Sequence, residues 1–531
     1  MRKQLISVLL ASALAASVLS VPTFAEEGKT LKFAMANECE TLDPGLSGYL
    51  QSSSVLMNLF MGLYQTGADG VTLENGCAES YDLSEDGLTY TFHLYDDLVW
   101  SDGTPLTAAD FEYSWKRVLN PETASNCSNN FFIIKNAEAY AMGEGSADEV
   151  GITAVDDTTL EVVLENPTGY FLNVLAETCY SPVQQAAVEG SETWSQKAET
   201  FVCNGAFKVD QINPESSYVL SKNENYKYAD QVALDGVEIV FISDGSAALT
   251  ALKNGEIDVT SNISVQAQSE FADSEQLMKF DTIGTCYYDF NCEHLTDVRV
   301  RKALSMALDR ETITQNLIAS KPKAAAGIVP DGISYYGSED DYRTVVGSLI
   351  TYDPEGAKAL LEEAVADGFD ASAAYTIMIK NDDELKTIAQ AMQAMWKAAL
   401  GLNFEIVTYE SGVYWDEHSN GNFDVAYDGW TGDYDDPNTM LLCFIQSECA
   451  TQNRWSGELA EKYDTLIDEC AAMTDQEARF EKFVEAEKIL LDESPIMPLY
   501  YRQSQLLVGE NVEYITNDTL SHTLFKYAKL K

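Results

Sequence analysis

One run of residues, Phe423-Asp424-Val425-Ala426-Tyr427-Asp428-Gly429-Trp430-Thr431-Gly432-Asp433-Tyr434-Asp435-Asp436-Pro437, is the best suited to chemistry in this chain. Phe423, Val425 and Tyr427 alternate as in a short strand, and a Gly-Trp pair follows. Asp433 then stands between Gly432 and Tyr434, and Pro437 stops regular structure soon afterwards. An aromatic wall, backbone groups left open by glycine and one acid at a strand end suit the capture of a small cationic group. The same residues also allow a plain acidic surface turn.

Catalytic chemistry is served less well. The sequence holds no Gly-x-Ser-x-Gly elbow, no phosphate loop and no His-Glu-x-x-His. Only His93, His294, His418 and His522 are present for acid–base work, and His93 falls on the polar side of a strand pattern. Asp435/Asp436 and Asp382/Asp383 have the residue types of a glycosidase pair, but among 85 acidic residues such neighbours arise by chance. Ten cysteines contain no Cys-x-x-Cys pair, so no zinc or redox motif is indicated, and no metal or cofactor is expected. Cys286/Cys292 and Cys443/Cys449 are each six apart, which permits local bridges and equally permits buried free thiols.

The elements that must position these residues alternate between strand-like and helix-like patterns, which points to an α/β fold. Thr89–Leu94 and the stretch from Thr159 to Leu164 alternate polar and apolar residues. Phe111, Ser114, Trp115 and Val118 line one face of a helix capped by Thr107. Asp297 caps a second, carrying Val300, Ala303, Leu304, Ala307 and Leu308. Leu385, Ile388, Ala389, Met392, Met395, Trp396 and Ala399 form a third stripe, ended by Gly401. These stripes read as core.

Arg2 and Lys3, the apolar run Leu5–Leu19 and Val21-Pro22-Thr23-Phe24-Ala25 make a secretory signal with cleavage expected after Ala25. No cysteine lies near that point for lipid attachment, and no later apolar run is long enough to span a bilayer. The mature chain is therefore expected outside the cytoplasm, periplasmic or at the cell surface. Its length suits two or three domains. A formal charge of −52, with the acids scattered and aromatics at 11%, describes a folded acidic surface that repels nucleic acid and anionic lipid.

The Trp430-x-x-Asp433-Tyr434-x-x-Pro437 element resembles that of the oligopeptide-binding proteins serving peptide ABC importers, solute-binding family 5. Further landmarks follow in order: Glu40-Thr41-Leu42-Asp43-Pro44, Asn58 to Tyr64, Trp100 to Phe111, Asn204-Gly205-Ala206-Phe207, Gly255-Glu256-Ile257-Asp258, Asp297 to Ala303, and Pro495 to Tyr500. The resemblance spans nearly the whole mature chain. It implies a bilobed periplasmic-binding-protein-like α/β fold with a smaller third domain. One lobe would be built from 26–63, 179–285 and 501–531, the other from 286–500, with 64–178 as the extra domain.

The resemblance also implies a monomer that captures short peptides, is not an enzyme, and hands its ligand to membrane permease subunits. Asp433 would pair with the peptide's α-ammonium. Gly429 to Gly432 (Trp430, Thr431 and Gly432 among them) and Gly48-Tyr49-Leu50 would offer backbone edges. Trp430, Tyr287 and Tyr500 would form amphipathic walls. Basic residues that some relatives place near the peptide's C-terminus are not matched: Tyr427, His418 and Leu385 stand there, with Lys380 and Arg454 as candidate replacements. Carriers of oligosaccharide or of nickel and its chelates are the alternatives within the family.

Overall fold

The computed structural model describes residues 29–191, 193–336, 338, 340–446 and 452–531. The signal segment and Cys449 lie outside the described residues.

Two long strands organise the architecture. Leu277–Phe290 and Ile496–Val508 sit side by side, antiparallel, in the middle of a ten-stranded sheet. Their ladder runs from Leu277↔Leu507 to Asp281↔Gln503, shifts, and resumes from Thr285↔Tyr501 to Asp289↔Ile496. On one side of this pair lie Val425–Thr431, Ala374–Lys380 and Asn403–Tyr409; on the other lie Val259–Thr260, Thr30–Met35, Gly236–Phe241, Ser217–Lys222 and Phe207–Asn213. Each group belongs to one lobe, so both long strands pass from lobe to lobe where their register shifts. The expected bilobed α/β architecture is what the chain adopts.

Helices cover both faces of the sheet in the lobe holding Val425–Thr431. One face buries Val298–Met306, Pro354–Ala366 and Asp383–Leu400 over Tyr288, Phe290 and Ile377. The other buries Glu458–Ala472 and Gln476–Glu493 over Ile283 and Tyr287. Local sequence explains the helix ends. Asp382 Oδ1 accepts from Leu385 N at 2.8 Å, and Gly401 closes the helix at φ +75°. Between them Leu385, Ile388, Ala389, Met392 and Trp396 of the stripe read from sequence are buried, with Met395 and Ala399 partly buried against the same cluster. Asp297 caps its helix through Arg299 N at 2.9 Å, and Asp110 accepts from Thr107 N at 2.8 Å.

The region between residues 64 and 178 contains a four-stranded antiparallel sheet, ordered Ala78–Leu83, Thr89–Leu94, Thr159–Val163, Ile152–Asp156. Helix Ala108–Leu119 packs against it. Its core is not separate. Phe92, Trp100, Trp115 and Phe131 belong to one continuous apolar cluster with Phe33, Ile239 and Phe525 of the neighbouring lobe. No described helix is long and apolar enough to cross a membrane.

Cys286 and Cys292 are unbridged. Burial pushes the Cys39 and Cys203 thiols up to about 12, so they behave as apolar packing groups.

Trp396 is fully buried, and its Nε1 donates to Leu304 O at 2.8 Å across the helix pair. Trp396→Ala is expected to cost about 3–5 kcal/mol, measured by urea denaturation with the wild type alongside.

Candidate binding cleft

The run singled out above forms strand Val425–Thr431 and the loop after it. One edge of the strand pairs with the long central strand, from Phe290↔Val425 to Gly284↔Thr431. The other edge meets Ala374–Lys380 only at Val425 and Ala426. From Tyr427 to Thr431 that edge has no strand partner among the described residues, and an extended chain can add itself to such an edge.

The loop beyond the strand is held tightly. Gly432 N donates to Ile283 O at 2.7 Å, and a Cβ on Gly432 would lie 2.6 Å from Thr439 Cγ2 and 2.7 Å from Ile283 Cγ2. Glycine is what permits this approach. Asp433 N donates to Thr439 Oγ1 at 2.8 Å. Tyr434 stacks on Tyr170 at 4.2 Å and 10°. Asp436, buried, receives two bonds from the buried Arg479 guanidinium, at 2.7 and 2.9 Å. Asp435 accepts from Ser334 N at 2.7 Å and Oγ at 2.5 Å, and burial pushes its carboxyl up to about 6. The neighbouring acids Asp435 and Asp436 are thus structural.

Asp433 is different. Among the described residues its carboxylate has no hydrogen-bond or ion-pair partner. It opens to solvent on one side, while the walls around it remove enough water to raise the carboxyl above the usual range. A cavity of about 350 Å³ lies in front of it. Gly48, Tyr49, Leu50, Glu177, Thr431, Gly432, Asp433 and His522 all line that cavity. Tyr49 and Leu50 are large apolar residues left 59% and 46% exposed at the start of helix Leu50–Leu59.

Six of the residues expected at the site therefore come together: Gly48, Tyr49, Leu50, Thr431, Gly432 and Asp433. Trp430, Tyr287 and Tyr500 do not line this cavity. Strand alternation turns Trp430 to the opposite face, where its Nε1 donates to Thr439 O at 2.8 Å. Tyr287 is buried on that same face against Phe444. Tyr500 is half-buried and packs toward the helix layer containing Leu385. Of the candidate basic replacements, Arg454 turns its Nη2 to Ser419 O at 3.1 Å. Leu385 is buried in the core.

Each histidine faces an aspartate: His93–Asp82 at 2.9 Å, His294–Asp424 at 3.0 Å, His418–Asp289 at 3.0 Å and His522–Asp518 at 2.8 Å. His418, Asp289 and Asp428 are the one group of described residues with metal-ligand spacing. All three are buried, and Asp428, pushed up to about 7 by burial and by Asp289, lies 3.7 Å from His418 Nε2. Both carboxyls face the same nitrogen, Nε2, while Nδ1 is buried without a hydrogen-bond partner among the described residues.

Sequence reasoning missed Glu177 and His522. They reach the cavity from segments more than 250 residues from Asp433 and about 90 residues from it, respectively, and neither carries a local signal. Burial pushes Glu177 up to about 8, against the opposing pull of His522. Burial alone would lower His522, but the Asp518 carboxylate and Glu177 outweigh it and raise the imidazole to about 9.

With this geometry in view, a family model described as "Bacterial extracellular solute-binding proteins, family 5 Middle" matches residues 72–451. The chain belongs to that family. The oligopeptide-binding protein OppA of Bacillus subtilis (strain 168) is 33% identical over 95% of this chain and 93% of its own length. The dipeptide-binding protein DppE of the same organism is 31% identical over 94% and 92%. Among solved structures, the unliganded open form of the periplasmic murein tripeptide-binding protein MppA superposes with a TM-score of 0.84. It is 28% identical over 95% of this chain and 98% of that one. In this family 5 chain the unpartnered acid and Thr431, at the end of the free strand edge, line the same cavity.

The proton balance of that cleft is measurable. His522 holds its proton more strongly folded than unfolded, where its pKa is about 6.5, so its contribution to stability is complete below that value. It is lost as pH rises toward about 9. Glu177, also raised, loses stability in the same direction. The melting temperature is expected to fall between about pH 6.5 and 9, with a shallower fall in His522→Gln, followed by circular dichroism.

Proposed function

We propose that this chain is the extracytoplasmic binding component of an ABC-type importer, capturing short peptides between its lobes and delivering them to membrane permease subunits. It acts as a monomer, performs no catalysis, and leaves the cytoplasm by a signal cut after Ala25. The division into one lobe from 26–63, 179–285 and 501–531, another from 286–500 and an extra domain from 64–178 belongs to the same reading.

The observation that carries it is the Asp433 carboxylate, fixed in place yet without a partner, at the mouth of a cavity beside an open strand edge. A peptide's α-ammonium supplies the missing charge, and its amides supply the missing ladder. Side chains then need only roomy, hydrated space. The high superposition on an unliganded open form supports taking the present lobe arrangement as the open state. Closure would sandwich the ammonium–carboxylate pair, so that binding has to offset its desolvation and selects for a free N-terminus.

Asp433→Ala is expected to weaken peptide binding by about 2–5 kcal/mol, or about 30-fold to a few thousand-fold. Calorimetry with an N-terminally free peptide measures this, and unchanged affinity would remove Asp433 from the site. A thermal-shift screen against peptides, oligosaccharides and Ni²⁺ separates the ligand classes, since a ligand bound only by the folded state raises the melting temperature.

A further inference from the structure

Several of the ten cysteines are explained by packing. Cys77, Cys203 and Cys470 are buried, and each thiol meets a backbone carbonyl, of Met61, Phe207 and Arg479 respectively. Cys127 and Cys179 differ on two counts. Their thiols hydrogen-bond to each other, and both line the cavity in front of Asp433. They are unbridged and only 6% and 4% exposed, so the cavity is the opening through which a small molecule meets them.

The two sulfurs are brought together by short turns that grip one another. Cys127 immediately precedes the turn Ser128–Phe131, and Cys179 lies in the turn Thr178–Tyr180. Asn130 touches both cysteines: its backbone N donates to Cys127 O at 3.2 Å, and its Nδ2 donates to Cys179 Sγ at 3.8 Å. Tyr180 Oη donates to Asn130 O at 2.5 Å, and its ring stacks on Phe131 at 4.1 Å. Cysteines can be joined without backbone movement only where the fold already holds them side by side, and these turns do so.

The pair is also chemically unequal. The Cys179 S–H, aided by Ser125 Oγ at 3.3 Å, holds the Cys127 thiol below its usual range against the opposing effect of burial. Cys127 and burial together push Cys179 well up. A thiolate is the reactive form of cysteine, so Cys127 is the nucleophile and Cys179 stays protonated beside it.

We propose that Cys127 and Cys179 are a redox pair in the wall of the cleft, joined into a disulfide by a peroxide that enters through the cavity. The Cys127 thiolate attacks one peroxide oxygen: an S–O bond forms, the O–O bond breaks, and the leaving hydroxide takes up the proton that the thiol gave up. The Cys179 sulfur then attacks the Cys127 sulfur. An S–S bond forms, the S–O bond breaks, and the leaving hydroxyl departs as water with the Cys179 proton. The two thiols lose two electrons, and hydrogen peroxide is reduced to two waters. The new bond staples the turn carrying Asn129 and Asn130 to the segment carrying Glu177 and Thr178, and all four of these residues line the cavity that holds Asp433. The cleft therefore has a stapled and an unstapled wall, according to redox state.

The test treats the full-length protein, reduced and then freed of reductant, with hydrogen peroxide. Remaining thiols are capped and the peptides mapped by mass spectrometry. The wild type is expected to yield a peptide linking Cys127 to Cys179, which dithiothreitol returns to two thiols. Cys179→Ser should stop at a sulfenic acid on Cys127, trapped by dimedone, whereas Cys127→Ser should leave Cys179 as a thiol. Absence of the linked peptide, or attack at Cys179 with Cys127 untouched, overturns the pair, and the wild-type map decides this even where a variant folds poorly. The route through the cavity is read with trialanine and rests on the peptide-binding reading given above. At a concentration about ten times its Kd, trialanine should slow bridging about tenfold. An unchanged rate with trialanine bound, as shown by calorimetry, overturns the route. Failure of trialanine to bind overturns the peptide reading, while the map still decides the pair.

Discussion

A carboxylate open to solvent on one side, with no cation beside it, stays without a partner only where the surrounding fold holds its backbone in place. Asp433 is in that position because everything around it is already fixed. The backbone before it is pressed against Ile283 and Thr439, where only glycine fits. The backbone after it is tied through Asp436 to Arg479, both buried. A buried ion pair of this sort is a poor source of net stability, since desolvation offsets most of the attraction. Its value here is positional: it fixes the loop that carries the acid. The remaining features of the cleft, the open strand edge and the exposed Tyr49 and Leu50, have meaning only around that fixed charge.

The connection between lobes follows from the same economy of structure. Each lobe covers both faces of its part of the sheet with its own apolar clusters. Leu277–Phe290 and Ile496–Val508 join them, and their ladder is interrupted between Asp281 and Thr285. A strand pair with a register shift bends more readily than a packed core, so on the proposed reading closure of the lobes would pivot there. The four-stranded region shares a continuous core with its neighbouring lobe, which ties the two into one body.

Much of this was legible in local sequence. The helices capped by Asp297 and Asp382 begin where those side chains satisfy free N–H groups, the helix after Thr107 begins where Asp110 accepts from Thr107 N, and Gly401 ends the helix that Asp382 begins because it accepts a left-handed conformation. The strand at Val425 and the turn chemistry at Gly432 and Pro437 were equally visible. Orientation was less so. The composition of Trp430 and Tyr287 suited a ligand wall, yet alternation along paired strands turned both toward the helix layer behind the sheet. The same strand offers the cleft small residues, Gly429 and Thr431.

By itself the sequence determined the α/β character, the placement of its main helices and strands, and the peptide that ends in Asp433, because those depend on periodicity and capping within about twenty residues. Only the tertiary structure decided which charges are left over. Asp436 and Asp433 are three positions apart and chemically alike; one is neutralised by Arg479 and the other by nothing in the described chain. Charge compensation is a property of neighbours in space, and local pattern carries no record of it.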